Sequence, residues 1–323
     1  MSISKNLDKR GLAVITGGAS GFGFEVAQRL LQNGMSVAVL DVSDKELANA
    51  REKLVPVGVV SGANFFWVRC NVTSLSECQR AQKAVKVRFP GKKIAFLFNN
   101  AGIQGKAGGS ILHGSTELWK PIMAVNVYGA INIIQAFVPS MLKDGPLPSG
   151  LKSHVVTTSS VVGLLNHNPG AYSVSKMAVT AVGEQFSIEL ENMGKKAAHV
   201  HPHTLHPTVA ATNFLTNRDA DGKQQADDGV KKMMSGKAAS ATDIVDGLFR
   251  GLDAGHYYIV VDGPTDIPTY AQISNRMKDQ MMKVRPRQPE QLGALASFGW
   301  GQKELDERMK RIRQAGELGA SKL

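Results

Sequence analysis

Apolar positions fall along the chain in two kinds of block. Short apolar runs at 11–16, 35–41, 64–70, 94–99, 153–159, 198–206 and 256–262 read as β-strands, and stretches of helical periodicity separate them. The first helices are predicted over 21–33 and 44–54, so the chain opens on a strand, helix, strand unit. Runs such as Ala13-Val14-Ile15 and Ile94-Ala95-Phe96-Leu97-Phe98 show no alternation, which is the pattern of strands covered on both faces. The pattern predicts an α/β fold: a doubly wound parallel sheet of about seven strands. Pro202 predicts a bulge or irregularity in the sixth strand, because it has no N–H for a ladder.

Two segments break the rhythm. Residues 210–240 carry no strand pattern and are rich in Asp, Lys, Gly, Ala and Met, the composition of a lid over a site. Beyond Pro264 the pattern turns helical, with Leu305, Met309 and Ile312 forming one stripe. One domain is therefore expected over 1–263 and a helical C-terminal extension over 264–323.

Composition changes this picture little. With 323 residues, 43% of them hydrophobic, the chain can bury a large core, which excludes a disordered or fibrous protein. A net charge of +11 raises nucleic acid as a partner, yet the basic excess is spread along the chain and forms no arm. Two cysteines, Cys70 and Cys78, exclude a disulfide scaffold and suit a reducing compartment. Residues 1–10 have no apolar core of a signal peptide, and no uninterrupted apolar stretch approaches the roughly 18 residues of a bilayer span. The expectation is a cytoplasmic protein with neither nucleic acid nor membrane as partner.

Chemistry concentrates at two places. After the first strand comes Thr16-Gly17-Gly18-Ala19-Ser20-Gly21-Phe22-Gly23, opening into a helix. Such a turn lets backbone approach a pyrophosphate at a helix N-terminus, and casts Gly17, Gly21 and Gly23 as phosphate-loop glycines. Asp41 ends the second strand, where a carboxylate accepts hydrogen bonds from ribose hydroxyls and repels a 2′-phosphate. No Lys or Arg lies between Gly17 and Gly23, so NAD is the expected cofactor. Further on, Tyr172 and Lys176 share a helix face at i, i+4. A tyrosine with an ordinary pKa of about 10 acts as a base near neutrality only if its phenolate is favoured, as a neighbouring ammonium would favour it.

The joint set of Thr16-Gly17 through Gly21-Phe22-Gly23, Asn99-Asn100-Ala101-Gly102, Asn126, Ser159-Ser160 and Tyr172 to Lys176 resembles the short-chain dehydrogenase/reductase family over about residues 8–263. The resemblance implies a single Rossmann-type domain holding both NAD and the chemistry. It implies Tyr172 as general acid/base and Lys176 as the group that lowers its pKa and binds the nicotinamide ribose. It implies Ser160 as the hydroxyl on the substrate oxygen, and Asn126 as the residue that holds a helix open around a proton-passing water. Ser160 is chosen over Ser159 because Val161-Val162-Gly163-Leu164 matches the residues that succeed the serine in the family, and because adjacent strand residues face opposite ways. The resemblance further places Ser20, Phe22, Asn71, Val72, Asn100, Ala101, Gly102, Pro207, Val209 and Thr212 against the cofactor, with Thr208 standing where a Gly is usual.

These features predict an NAD-dependent alcohol dehydrogenase that interconverts a secondary alcohol and a ketone. Leu164, Leu165, Phe214 and Leu215 point to a small-molecule substrate with an apolar or aromatic body, in a pocket formed by 103–109, 164–170 and 212–234. The layout of the C-terminal extension also resembles bacterial members that oxidise benzylic alcohols of aryl ethers. Family members work as homodimers or homotetramers through helices such as those over 119–141, and the same is expected here. The competing expectation is an NAD-binding regulatory or scaffold protein without catalysis. His199, His201, His203 and His206 could in principle share a strand face as zinc ligands, but the expectation is no metal.

Overall fold

The computed structural model describes residues 2–104, 111–164, 170–208 and 239–261, all within the unit Met1–Tyr270. Most of the predicted lid and the whole predicted extension lie outside them. Seven parallel strands form one sheet: β1 Leu12–Thr16, β2 Ser36–Asp41, β3 Phe65–Arg69, β4 Ile94–Asn99, β5 Ser153–Thr158, β6 Val200–Pro207 and β7 Tyr258–Val261. Their order across the sheet is β3-β2-β1-β4-β5-β6-β7, so the chain reverses its direction of travel between β1 and β4. In doubly wound sheets the crevice outside the strand ends at such a reversal is where ligands bind.

Each strand faces two cores. Ala13 and Ile15 of β1 and Val37 and Val39 of β2 pack on one side, under α1 Gly21–Gln32, α2 Asp44–Ser61 and a later helix, Ala241–Asp253. Leu12, Val14, Ala38 and Leu40 face the other side with α3 Leu75–Arg88, α5 Gly129–Asp144 and α6 Ala171–Met193. Between β4 and α5, α4 Trp119–Met123 runs into a π-helical turn, Ala124–Tyr128. The helix Ala241–Asp253, α7, is tied to α1 by fully buried Arg29, which pairs with Glu25 and Asp246 and donates to the Thr242 carbonyl.

Two expectations are corrected. α2 continues seven residues past the predicted end at 54, carrying Pro56 inside it, and stops at Gly62, whose positive φ of 71° and the bond from Ala63 N to Gly58 O close the end. β6 pairs with β5 in unbroken register through Val155↔Pro202. Pro202 costs nothing there because β7 begins its pairing only at Thr204. The continuous helical run Thr116–Asp144 contains a stretch long and apolar enough on average to cross a membrane, a test that the buried helices of a core also meet. In the fold its Ile133, Phe137 and Met141 are buried under the sheet. Cys70 and Cys78 are free and buried, their sulfurs 4.0 Å apart.

Candidate active site

The turn between β1 and α1 is shaped by what its glycines lack. Gly17 and Gly21 have positive φ, 60° and 55°, and a Cβ on Gly23 would lie 2.3 Å from the Gly17 carbonyl oxygen. α1 then begins without a side-chain cap from Ser20 and with no acidic residue in its first turn. By contrast α2, α3 and α7 are capped by Ser43, Ser74 and Ser240, each with an acidic residue in the first turn. An open, uncharged N-terminus beside a bare backbone turn is what a pyrophosphate needs, because its oxygens supply the missing acceptors. The residues present fit a dinucleotide.

Asp41 stands at the tip of β2 over this turn. Its Oδ2 accepts from Ala19 N at 3.2 Å and its Oδ1 from Ser43 N at 3.1 Å, and burial pushes its carboxyl upward against these bonds. On the other side, Asn100 N and Ala101 N both donate to Thr16 Oγ1, at 2.9 and 3.0 Å, and Asn100 Nδ2 donates to Thr16 O, which joins the ends of β1 and β4. Phe22 packs on the core below. Asn71 closes its own turn, accepting from Thr73, while Val72 accepts from Asn132 through its carbonyl.

A second group converges across the sheet from this turn. Ser160 leaves β5 with its hydroxyl bonded to that of Tyr172, in the first turn of α6, and 3.4 Å from the Pro207 carbonyl. Ser159 points the other way, donating to Lys176 O and lying 2.9 Å from Thr180 Oγ1. Thus the two adjacent hydroxyls separate, and only Ser160 reaches the tyrosine. Lys176 is buried, its Nζ donating to Thr158 O at 2.9 Å and lying 5.8 Å from the Tyr172 ring centre. Asn126 sits in the π-helical turn, a wide turn typical of functional sites. Its Oδ1 accepts from Ile103 N at 2.8 Å, and its Nδ2 donates to Ile103 O and to Ser175 Oγ. Gly102 lies between, where a Cβ would touch Asn126 Oδ1 and Lys176 Nζ at 3.3 and 3.4 Å.

The electrostatics depart from the expected direction. Burial pushes the Tyr172 phenol up to about 12, with only the Ser160 hydrogen bond pulling it back, and pushes Lys176 down to about 8. The Lys176 ammonium is held against the Thr158 carbonyl, 5.8 Å from the ring centre, and burial is the dominant influence on the phenol.

Of the residues singled out from sequence, Val209, Thr212, Leu165, Phe214 and Leu215 lie outside the described residues, as do 105–109, 165–169 and 212–234 of the expected pocket. Of the rest, those of the glycine turn, Asp41, Asn100 to Gly102, Ser160 and Pro207 lie at or just beyond the C-terminal ends of β1, β2, β4, β5 and β6, Asn71 and Val72 follow β3, Tyr172 and Lys176 lie in α6 and Asn126 in the π-helical turn. Sequence reasoning gave no role to Thr16, Thr158, Ser175 and His154, although Thr16 and Ser175 stand inside its motifs. Buried hydroxyls at strand ends give no periodic signal. Among the histidines, the described residues hold no cluster able to bind a metal. His154 Nδ1 and His203 Nε2 are 2.9 Å apart and buried, His199 meets the Met141 carbonyl, and His206 turns to Ser160.

With this geometry in hand, comparison with known proteins is informative. A family model described as short chain dehydrogenase matches residues 11–222, more than half of the chain. Short-chain dehydrogenase reductase ATA1 of Arabidopsis thaliana is 29% identical over 275 residues, covering 80% of this chain and 94% of that protein. The 1-deoxy-11-beta-hydroxypentalenate dehydrogenase of Streptomyces avermitilis is 26% identical, covering 84% and 89%. A solved short chain dehydrogenase/reductase from Burkholderia phymatum in complex with NAD superposes with a TM-score of 0.69 at 26% identity, covering 88% of this chain and 99% of that one.

Proposed function

The chain belongs to the short chain dehydrogenase family, whose oxidoreductases act with a nicotinamide cofactor, and from that premise we propose that it is an NAD-dependent dehydrogenase interconverting a secondary alcohol and a ketone. The observation that carries this reading is the meeting of the Ser160 and Tyr172 hydroxyls, with Lys176 behind them, at the sheet edge that also bears the uncapped turn. Two hydroxyls converging on one point suit a single substrate oxygen. Tyr172 Oη exchanges the proton with that oxygen, and Ser160 Oγ donates to it, stabilising the charge that develops there.

When bound, an oxidised nicotinamide ring supplies the carbon that takes the hydride, and a positive charge that favours the phenolate. Gly17, Gly21, Gly23 and the first turn of α1 hold the pyrophosphate. Asp41 holds the adenosine ribose, and Lys176 the nicotinamide ribose. With the phenol at about 12, the free site stores its proton on Tyr172, ready as an acid for ketone reduction. In oxidation the alcohol proton passes to Tyr172 Oη and leaves by way of Lys176. Asn126 keeps the helix open there and clamps both backbone groups of Ile103.

NAD is favoured over NADP by Asp41, which would repel a 2′-phosphate. The neighbouring Arg69 faces Asp44 at 3.5 Å. Leu164, at the end of the short helical turn that Ser160 caps, supports an apolar or aromatic substrate body, and the name of the Streptomyces relative, a dehydrogenase of a hydroxy compound, agrees with an alcohol. Exposed Tyr128, Met177 and Ile188 support a homodimer or homotetramer. The same reading has it working in the cytoplasm.

The test is cofactor fluorescence over 1-phenylethanol, cyclohexanol, 2-octanol and their ketones, with both dinucleotides. Turnover with NAD at least about tenfold above that with NADP is expected, the size of one lost charge contact. NAD binding with no turnover of any compound would instead favour a non-catalytic NAD-binding protein.

A further inference from the structure

β5 and β6 run in register from Ser153↔Val200 to Thr158↔Leu205, and one more bond follows, from Ser159 N to Leu205 O at 2.7 Å. In a parallel ladder the returning bond comes from the nitrogen two residues on. That residue is Pro207, which has no N–H. The strand therefore loses its backbone hold just where Ser160 begins.

The carbonyl that goes without this donor is that of Ser159, and at the next residue a side chain takes over, His206 holding the Ser160 carbonyl. His206 is fully buried, with Nδ1 3.0 Å from the Ser160 carbonyl oxygen and Nε2 2.8 Å from Thr204 Oγ1. A carbonyl only accepts, so Nδ1 carries the hydrogen, and Nε2 offers its lone pair to the threonine hydroxyl. Both ring nitrogens are satisfied by the neutral imidazole. Burial, with the charge of Lys176 in the same direction, holds the ring in that form and pushes it down to about 4. Meanwhile the Pro207 carbonyl accepts from Ser160 Oγ. The end of β6 thus grips Ser160 at its carbonyl through a side chain and at its hydroxyl through backbone.

We propose that His206 is a positioning residue for the reaction: its Nδ1–H holds the Ser160 carbonyl just past the point where Pro207 ends the ladder, and so fixes the turn that aims Ser160 Oγ at Tyr172. This rests on the roles given above to Ser160 and Tyr172. It also gives one member of the histidine group a role unconnected with metal.

The test compares His206→Asn with His206→Gln. An asparagine amide nitrogen reaches the place of Nδ1 and keeps the donor to Ser160, whereas a glutamine amide reaches toward Nε2 and serves Thr204 alone. On the best alcohol of the panel above, His206→Gln is expected to lose kcat by about tenfold to a hundredfold, the range of a misplaced catalytic group, with KM for NAD within about threefold. His206→Asn should recover to within about threefold of wild type. Equal kcat in the two variants, whether high or low, overturns the proposal. Independently of activity, nitrogen-15 NMR of the full wild-type chain at neutral pH should show His206 as the neutral Nδ1–H tautomer. The Nε2–H tautomer or an imidazolium overturns it. If Tyr172→Phe keeps wild-type turnover, or no panel compound is turned over, the proposed function fails and the tautomer alone decides the case of His206.

Discussion

Around β1 and α1 the site is organised by side chains that are missing, and around β5, β6 and α6 by polar side chains that are buried and bonded. In the first region Gly23 meets the Gly17 carbonyl where any Cβ would collide, and Ser20 leaves the helix uncapped. In the second, Ser159, Thr180, Lys176, Thr158 and His206 each have a hydrogen bond within the protein. The difference reflects the task of each region. A region that receives a charged group leaves its helix N-terminus uncapped, while Gly18 N and Ala19 N hold the turn to Leu40 O and Asp41. A region that moves a proton must fix a few side-chain atoms to a fraction of an ångström, which takes a shell of satisfied hydrogen bonds.

The comparison can be broken most forcefully at Gly23. A methyl group there would stand 2.3 Å from backbone that cannot swing aside, so Gly23→Ala should weaken NAD binding by at least about a hundredfold in titration calorimetry, roughly 3 kcal/mol. Affinity within threefold of wild type would show that the turn is not shaped by missing atoms.

The second region should reveal its buried polar character in acid. His154 is pushed down to about 3, and His203 and His206 to about 4, with desolvation the largest cause for each. Each is neutral in the fold and takes up a proton on unfolding below about pH 6.5, so the stability it contributes is present above that pH and lost as pH falls toward 4. Urea unfolding should show stability falling by about 1.4 kcal/mol per pH unit for each such histidine across this window. A flat profile between pH 6.5 and 4 would mean that these rings are not held neutral.

The smallest effect sharpens the comparison within the second region. Ser159→Ala removes a bond to Lys176 O that Thr180 also makes, at 3.0 Å, and should cost about 1 kcal/mol of stability and less than threefold in kcat. Ser160→Ala should cost about a hundredfold or more in kcat with little change in stability. The reverse pattern in thermal melts and initial rates would exchange the roles of the two serines.

The two regions also differ in how far they can be read from sequence. Gly17, Gly21, Gly23 and Asp41 are spaced along one strand, helix, strand unit, and the strand pattern itself is local, so both the sheet and the phosphate turn are legible there. Ser160 can be told from Ser159 because neighbouring strand residues face opposite ways. His206, Thr158 and Ser175 depend instead on the register between β5 and β6 and on how α6 crosses the π-helical turn, neither of which leaves a periodic trace. The shifted pKa of Tyr172 escapes sequence for the same reason: spacing puts an ammonium near the phenol, but only packing shows the Lys176 Nζ turned to the Thr158 carbonyl. Pro202 misleads in the opposite sense, since it sits where β7 has not begun to pair and its lost donor goes unused.

The central claim is that Tyr172 exchanges the proton with the substrate oxygen while other residues hold the dinucleotide. Tyr172→Phe tests it most directly, with turnover and NAD affinity measured on the same preparation. A loss of kcat of about a thousandfold is expected, within the span of general acid/base catalysis, with the dissociation constant for NAD changed less than about threefold. Wild-type turnover in Tyr172→Phe would contradict it.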